Sequence, residues 1–192
     1  AGGSYCSAFT DVDAPFGSRG SFFGVGGEGG GGEVTPGSET GSDIRGVLSG
    51  SFELNPPFSA ELYAALITRC EELLARADAA QAPLSFALVI GATAPALKLS
   101  CIAEIGHSRF YRGRLLVGVA EHAYVDYAPR LTRPATFRAC DTATFFLQTR
   151  SAAAKWPVTD AALSELQVAF ADAAAQEQEP QQVEEQEQQQ QQ

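Results

Sequence analysis

The stretch "SFELNPPFSAEL", residues 51–62, joins an apolar, strand-like run to a helical pattern through Asn55-Pro56-Pro57-Phe58. Each proline fixes its own φ and keeps the residue before it out of the α region, so Asn55 and Pro56 are both expected to be extended. Neither proline has an N–H to donate, whereas their carbonyls and the Asn55 side-chain oxygen remain as acceptors. In an open α/β sheet ligands bind beyond the carboxyl ends of strands, where this turn is expected. Fixed acceptors beside an aromatic ring suit a planar ligand carrying an NH2 group.

The regular pattern continues on both sides of the turn. "GSFEL" reads as a strand, and Ser59 as the N-cap of a helix reaching about Ala80, with Leu62, Leu66, Cys70, Leu73, Leu74 and Ala77 on one face. "LSFALVI" (84–90) is apolar throughout, as in a strand covered on both faces, and "GATAPAL" (91–97) is expected to be a loop. "RLLVGVA" (114–120) and "ATFFLQT" (143–149) read as further strands. Thr159 is expected to cap a last helix with Leu163, Leu166 and Phe170 on its buried side. Strand, helix, strand and then two strands without a helix between them describe the second half of an α/β sheet ending in an antiparallel hairpin.

Outside this body, residues 24–49 are glycine-rich and are expected to form a flexible insertion. Their "GVGGEG" matches G-x-G-x-x-G in form, but more glycine follows instead of the helix that a dinucleotide site requires. Residues 1–23 are expected to form an aromatic N-terminal part of the same domain, residues 50–175 its core, and the Gln/Glu-rich residues 176–192 a disordered tail. The chain begins at Ala1 and has no methionine, so it is expected to be a piece of a longer protein.

Of 192 residues, 45% are hydrophobic, enough for a real core. The longest uncharged apolar stretch, residues 82–97, is too short to cross a bilayer and contains Pro83 and Pro95, so no membrane role is expected, and no secretory signal is visible. Cys6, Cys70, Cys101 and Cys140 are widely spaced, which disfavours a metal site or a compact disulfide framework and fits reduced thiols in the nucleus or cytosol. The net charge is −10, yet residues 98–155 hold nine basic side chains against four acidic ones. Such a window can attract phosphates although the chain as a whole is acidic. The competing reading is a solvated face with arginines in structural pairs.

Asn-Pro-Pro-Phe after a strand and before a helix resembles the [DN]-P-P-[YFW] motif of S-adenosylmethionine-dependent amino-methyltransferases. In that family the Asn oxygen and the next proline carbonyl accept the two N–H hydrogens of the target, and the aromatic residue stacks on its plane. Six blocks, residues 5–23, 50–58, 83–90, 108–124, 142–149 and 155–166, are together similar to the catalytic domain of the phosphorylated-CTD-interacting factor family, the cap-specific adenosine N6-methyltransferases of mRNA. The resemblance implies the C-terminal part of a Rossmann-like α/β methyltransferase sheet. It further implies S-adenosylmethionine as donor, capped mRNA as substrate and the nucleus as location.

Carried over by position, Asn55, Pro56, Pro57 and Phe58 take the catalytic role, and Asn55, Pro56, Phe58, Glu121 and His122 the cofactor contacts. Arg109, Arg112 and Arg114 are the candidates for RNA or cap phosphates, and Glu61 for a substrate contact. His122 also has a structural reading, as a hydrogen-bonded interior histidine. The chain departs from the family at Ala60, where an acidic residue is usual, and in the short 91–97 segment, where the family carries a longer loop. The family's WW module and helical domain fall outside the matching blocks, so binding to the phosphorylated polymerase tail belongs to regions beyond this chain. Alternatives sharing the motif are a DNA adenine or protein glutamine methyltransferase, or a non-catalytic binding module.

Overall fold

The computed structural model describes residues 22–23, 49–57, 59–126 and 135–176. The glycine-rich insertion with its G-x-G-x-x-G match, nearly all of the N-terminal part, Phe58 and the Gln/Glu-rich tail beyond Gln176 lie outside the described residues. Along the chain come strand β1 (Gly50–Leu54), helix α1 (Ala60–Ala79), β2 (Leu84–Gly91), the one-turn helices α2 (Ala94–Leu97) and α3 (Ser100–Ala103), and a 3-10 turn (Ile105–His107). There follow β3 (Tyr111–Val117), β4 (Tyr124–Asp126), β5 (Ala135–Phe137), β6 (Thr142–Gln148), α4 (Arg150–Lys155) and α5 (Asp160–Gln176).

Among the described residues, four strands make one sheet in the order β1-β2-β6-β3, and β4 pairs with β5 in a separate ribbon. β1 and β2 are parallel, joined by α1 as a crossover, while β6 runs antiparallel to both β2 and β3. The expected mixed sheet is therefore present, with the last strand slotted between two earlier ones. β3 and β6 are antiparallel neighbours, as a hairpin would make them, but residues 118–141 intervene and hold the β4–β5 ribbon, which sequence patterning missed.

The sheet has two unlike faces. Paired residues of neighbouring strands share a face, so Phe52, Phe86 and Leu147 lie together, as do Leu88 and Phe145, and Ile90 and Ala143. α1 covers this face with Tyr63, Leu66, Cys70, Leu73, Leu74 and Ala77, all buried in one core cluster. Burying a large aliphatic side chain stabilises by roughly 1.5–3 kcal/mol, so this stripe anchors the helix. Tyr63 takes the inward position expected for Leu62, which is half-buried. The Phe22 ring packs edge-on against Phe86 at 5.9 Å, and the Phe22 carbonyl accepts the Arg69 Nε–H at 3.4 Å, tying this residue to the same layer.

α1 begins and ends as its local chemistry dictates. The Ser59 hydroxyl accepts from Leu62 N at 3.4 Å. At the other end Gln81 adopts φ 54°, Ala82 N bonds Ala77 O at 2.8 Å, and Gln81 N bonds Asp78 O at 3.1 Å. That is a Schellman motif with glutamine in the left-handed position where glycine is usual.

The opposite face carries α4 and α5. Gly113 on β3 leaves room there: a Cβ would come within 3.2 Å of Val158 Cγ1. β2 was expected to be covered on both faces, but Ala87 and Val89 are only half-buried because a cavity lies over them. Two boundaries also differ from expectation. Residues 94–107 form successive helical turns rather than an open loop, Thr93 capping the first through Ala96 N at 3.3 Å. β3 stops at Val117 because a turn closed by Glu121 N and Gly118 O, at 2.8 Å, follows it.

Candidate functional site

Ser51, Glu53 and Asn55 alternate along β1 and its exit, so they share one face. That face opens on a cavity of about 440 Å3 between the sheet and α5. β2 contributes Ala87 and Val89 to it, β6 contributes Thr142, Thr144 and Phe146, and α5 contributes Leu166 and Phe170; His122 and Tyr124 close one side. The structure thus brings Asn55 and His122, distant in sequence, to the same cavity.

The turn at Asn55 is stiff and only partly satisfied. Ser59 N donates to Pro57 O at 2.8 Å, so of the three acceptors expected to remain free the Pro57 carbonyl is taken. The Asn55 side chain and the Pro56 carbonyl make no hydrogen bond among the described residues, and Asn55 is exposed. Phe58 lies outside the described residues. Glu61 turns back on the cap: Ser59 Oγ donates to its carboxylate at 2.9 Å. Its own backbone N–H, and then this hydroxyl, hold the Glu61 carboxyl below the usual range.

His122 is buried, with both ring nitrogens engaged: Nδ1 lies 2.9 Å from Gly118 O and Nε2 2.7 Å from Thr142 Oγ1. A carbonyl can only accept, so in the neutral ring Nδ1 carries the proton and Nε2 accepts from the Thr142 hydroxyl. Thr142 Oγ1 in turn accepts from the Tyr124 hydroxyl. Burial pushes the Tyr124 phenol above its ordinary range. The His122 ring also meets Tyr124 and Phe170 edge-on, at 5.2 and 6.1 Å between centroids. This is the geometry of the structural reading of His122, placed in the cavity wall. Glu121 faces away and caps its own turn, its carboxylate accepting from Gly118 N at 2.9 Å.

The three arginines do not reach this cavity. Arg114 pairs with Phe145 across β3 and β6, so it lies on the α1 face and lines a smaller cleft there with Tyr111 and Ile102. Arg112 is committed to backbone: it donates to Arg109 O, Tyr111 O and Gln148 O at 2.8–2.9 Å. The Arg109 guanidinium stands 4.5 Å from the centroid of the Phe110 ring.

Glu53, Tyr124, Thr142, Thr144 and Phe146 are not singled out from the sequence, and Phe170 is read there only as a core residue of the last helix. Glu53 was accessible to it, lying two places before Asn55 on the same strand face. Thr142 and Thr144 carry the alternation of "TATFFLQ", but only the pairing of β6 between β2 and β3 brings them to Asn55.

Comparison with known proteins places the chain. A family model described as "Phosphorylated CTD interacting factor 1 WW domain" matches residues 3–127. That range takes in β1 to β4 and α1 and contains no tryptophan, since Trp156 is the one in the chain, so the match falls on the α/β body. A mouse protein named "mRNA (2'-O-methyladenosine-N(6)-)-methyltransferase" is 35% identical over 173 residues, covering 86% of this chain and 20% of that protein. The human protein of the same name is 34% identical over 173 residues, covering 86% of this chain and 21% of its own length. The chain therefore spans about a fifth of the length of these curated relatives. With most of its residues matched and its strand-turn-helix body inside the matched range, the chain belongs to the phosphorylated CTD interacting factor family.

Proposed function

We propose that the full-length protein transfers a methyl group to N6 of the 2'-O-methyladenosine beside the mRNA cap, and that Asn55 holds the target amine. The observation that carries this reading is the Asn55 side chain, which like the Pro56 carbonyl has no hydrogen bond among the described residues, opening on an aromatic-lined cavity. Two acceptors on a stiff turn can take the two hydrogens of an exocyclic amine and favour a pyramidal nitrogen whose lone pair points at the methyl donor. Catalysis then consists mainly of positioning and fixed dipoles. The attacking nitrogen becomes acidic once methylated and releases its proton late, so no strong base is required.

The residues present fit the donor that the relatives' name suggests. A cavity of about 440 Å3 is within the usual range for small-molecule sites, and acceptors such as Asn55 Oδ1 and the Glu53 carboxylate suit a group bearing N–H donors and positive charge. S-adenosylmethionine would supply the activated methyl. The order β1-β2-β6-β3, with three strands in one direction and one reversed, is compatible with the C-terminal part of a Rossmann-like methyltransferase sheet. On this reading the protein works in the nucleus on an RNA end, where presenting the base costs less than extracting it from a duplex. Contact with the phosphorylated polymerase tail, which the family name carries, is assigned to parts of the protein beyond this chain.

Transfer of labelled methyl tests the reading. The full-length protein should label capped RNA beginning with 2'-O-methyladenosine, but neither duplex DNA nor a glutamine peptide. Asn55→Ala should lower the rate by about 100-fold or more with the circular dichroism unchanged, the scale seen when one fixed polar group at a reacting centre is removed. Near-normal turnover in Asn55→Ala, or labelling confined to DNA or peptide, would sink it.

A further inference from the structure

The β4–β5 ribbon stands beside the cavity and carries an aromatic pair that lies outside the hydrophobic core cluster. Tyr124 and Phe137 are register partners across the ribbon, so their side chains share a face. Their rings stack, with centroids 5.5 Å apart and planes 25° from parallel. The surroundings of the two rings differ. Tyr124 lines the cavity and its hydroxyl is held by Thr142, whereas Phe137 is 49% exposed although it is a large apolar side chain. The ribbon thus turns one ring to the cavity and leaves the next open to solvent.

The inner ring is a firm support for the outer one. Tyr124 is pinned at its hydroxyl and meets the His122 ring edge-on at 5.2 Å. Arg138, the residue after Phe137, is also exposed, and its Nη1 donates to Ala120 O at 2.7 Å. A guanidinium has several N–H groups, so one such bond orients Arg138 without using it up. An exposed aromatic face with an arginine beside it suits one nucleotide of a single strand: the base stacks on the ring and a phosphate bonds the guanidinium. The same positive charge disfavours a cationic ring at this place, so the matching base is a neutral one.

We propose that Phe137 is a stacking platform for the nucleobase that follows the target nucleotide in the RNA strand, with Arg138 on an adjoining phosphate. The proposal rests on the reading that the target base enters the cavity beside Asn55. Phe137 is then a positioning residue: it touches neither the reacting nitrogen nor the methyl donor, and acts by holding the strand so that the target base is presented to the cavity. Every base has a π face, so the platform accepts the neighbouring base without reading its identity. A base inside a duplex is already stacked on both sides, so the platform also favours a single-stranded end.

Fluorescence titration of the full-length protein tests it, with capped RNA carrying 2-aminopurine directly after the 2'-O-methyladenosine. The emission of 2-aminopurine falls when it stacks on an aromatic ring. It should fall on binding to the wild type and to Phe137→Trp, and should stay unquenched with Phe137→Ala. Phe137→Ala should also weaken binding about ten-fold with the circular dichroism unchanged, within the range for loss of one base–aromatic stack. RNA that lacks the second base but keeps its ribose should bind the wild type and Phe137→Ala equally. Arg138→Gln should instead weaken both RNAs alike and lower the salt dependence of binding by about one released ion. Neither readout needs methyl transfer, so RNA bound in this way but not methylated would sink the reaction and leave the platform standing. Quenching that persists in Phe137→Ala, or an equal loss of affinity for the RNA lacking the base, overturns the proposal and leaves the ring to a protein contact.

Discussion

The Thr142 hydroxyl, on the strand at the centre of the sheet, lies 2.7 Å from Nε2 of His122, which follows a turn twenty residues earlier. The bond suits the tautomer that the Gly118 carbonyl imposes at Nδ1 and ties the 118–124 segment to the cavity wall. Thr142→Val keeps the shape but leaves Nε2 buried without a donor and the Tyr124 hydroxyl without an acceptor at that position. The expected cost is about 1–3 kcal/mol, measured by urea unfolding, with Thr142→Ser losing much less. An unchanged midpoint in Thr142→Val would show that the bond contributes nothing net.

The arginines should separate by role. Arg112 donates to three backbone carbonyls, so Arg112→Ala is expected to destabilise by about 1.5–3 kcal/mol, the range for hydrogen bonds to charged groups. Arg114→Ala removes an exposed side chain whose guanidinium stands 6.0 Å from the centroid of the Phe145 ring, and should stay within about 0.5 kcal/mol. Thermal unfolding of both variants checks this. The reverse order of stabilities would contradict the structure.

Asp78 links the end of α1 to the start of α4. Its carboxylate accepts from Arg150 N at 3.0 Å and pairs with Arg150 Nη2 at 3.2 Å. The Arg150 backbone N–H first, and its side chain second, hold the Asp78 carboxyl below the ordinary aspartate value. A depressed folded-state pKa contributes stability that is present above the unfolded-state value, about 3.9, and is lost as pH falls through the folded value. The wild-type urea midpoint should therefore fall between pH 5 and pH 3 by more than that of Asp78→Asn. Equal falls would remove Asp78 as a cause.

Gln81 holds the left-handed position of the Schellman motif at φ 54°. A side chain there costs roughly 1 kcal/mol that glycine does not incur. Gln81→Gly should raise the unfolding free energy by about 0.5–1 kcal/mol, and Gln81→Val should lower it. Differential scanning calorimetry on the two variants checks both signs.

Local chemistry makes much of this fold legible in the sequence. Ser59 caps α1 and Thr159 caps α5 because a hydroxyl before an amphipathic run satisfies an otherwise unpaired N–H. The four sheet strands follow from their apolar patterning. The β4–β5 ribbon was missed because strands of three residues carry too little pattern to register. The extension of β3 to residue 120 failed because the apolar character of Val119 and Ala120 says nothing of the turn that Glu121 closes.

For the site, the sequence by itself determined the stiff turn at Asn55 to Pro57 and the extended approach to it, because proline geometry acts within neighbouring residues. It also determined the family. Only the tertiary structure decided that His122 shares a cavity with Asn55, that Arg114 lies on the other face of the sheet, and that the Pro57 carbonyl is already taken by Ser59. Those outcomes depend on which strands pair and in which register, which no local pattern of residues dictates. Glu53 shows the difference in a single residue: its place on the face shared with Asn55 is local alternation, but the cavity that face opens on is a property of the assembled sheet.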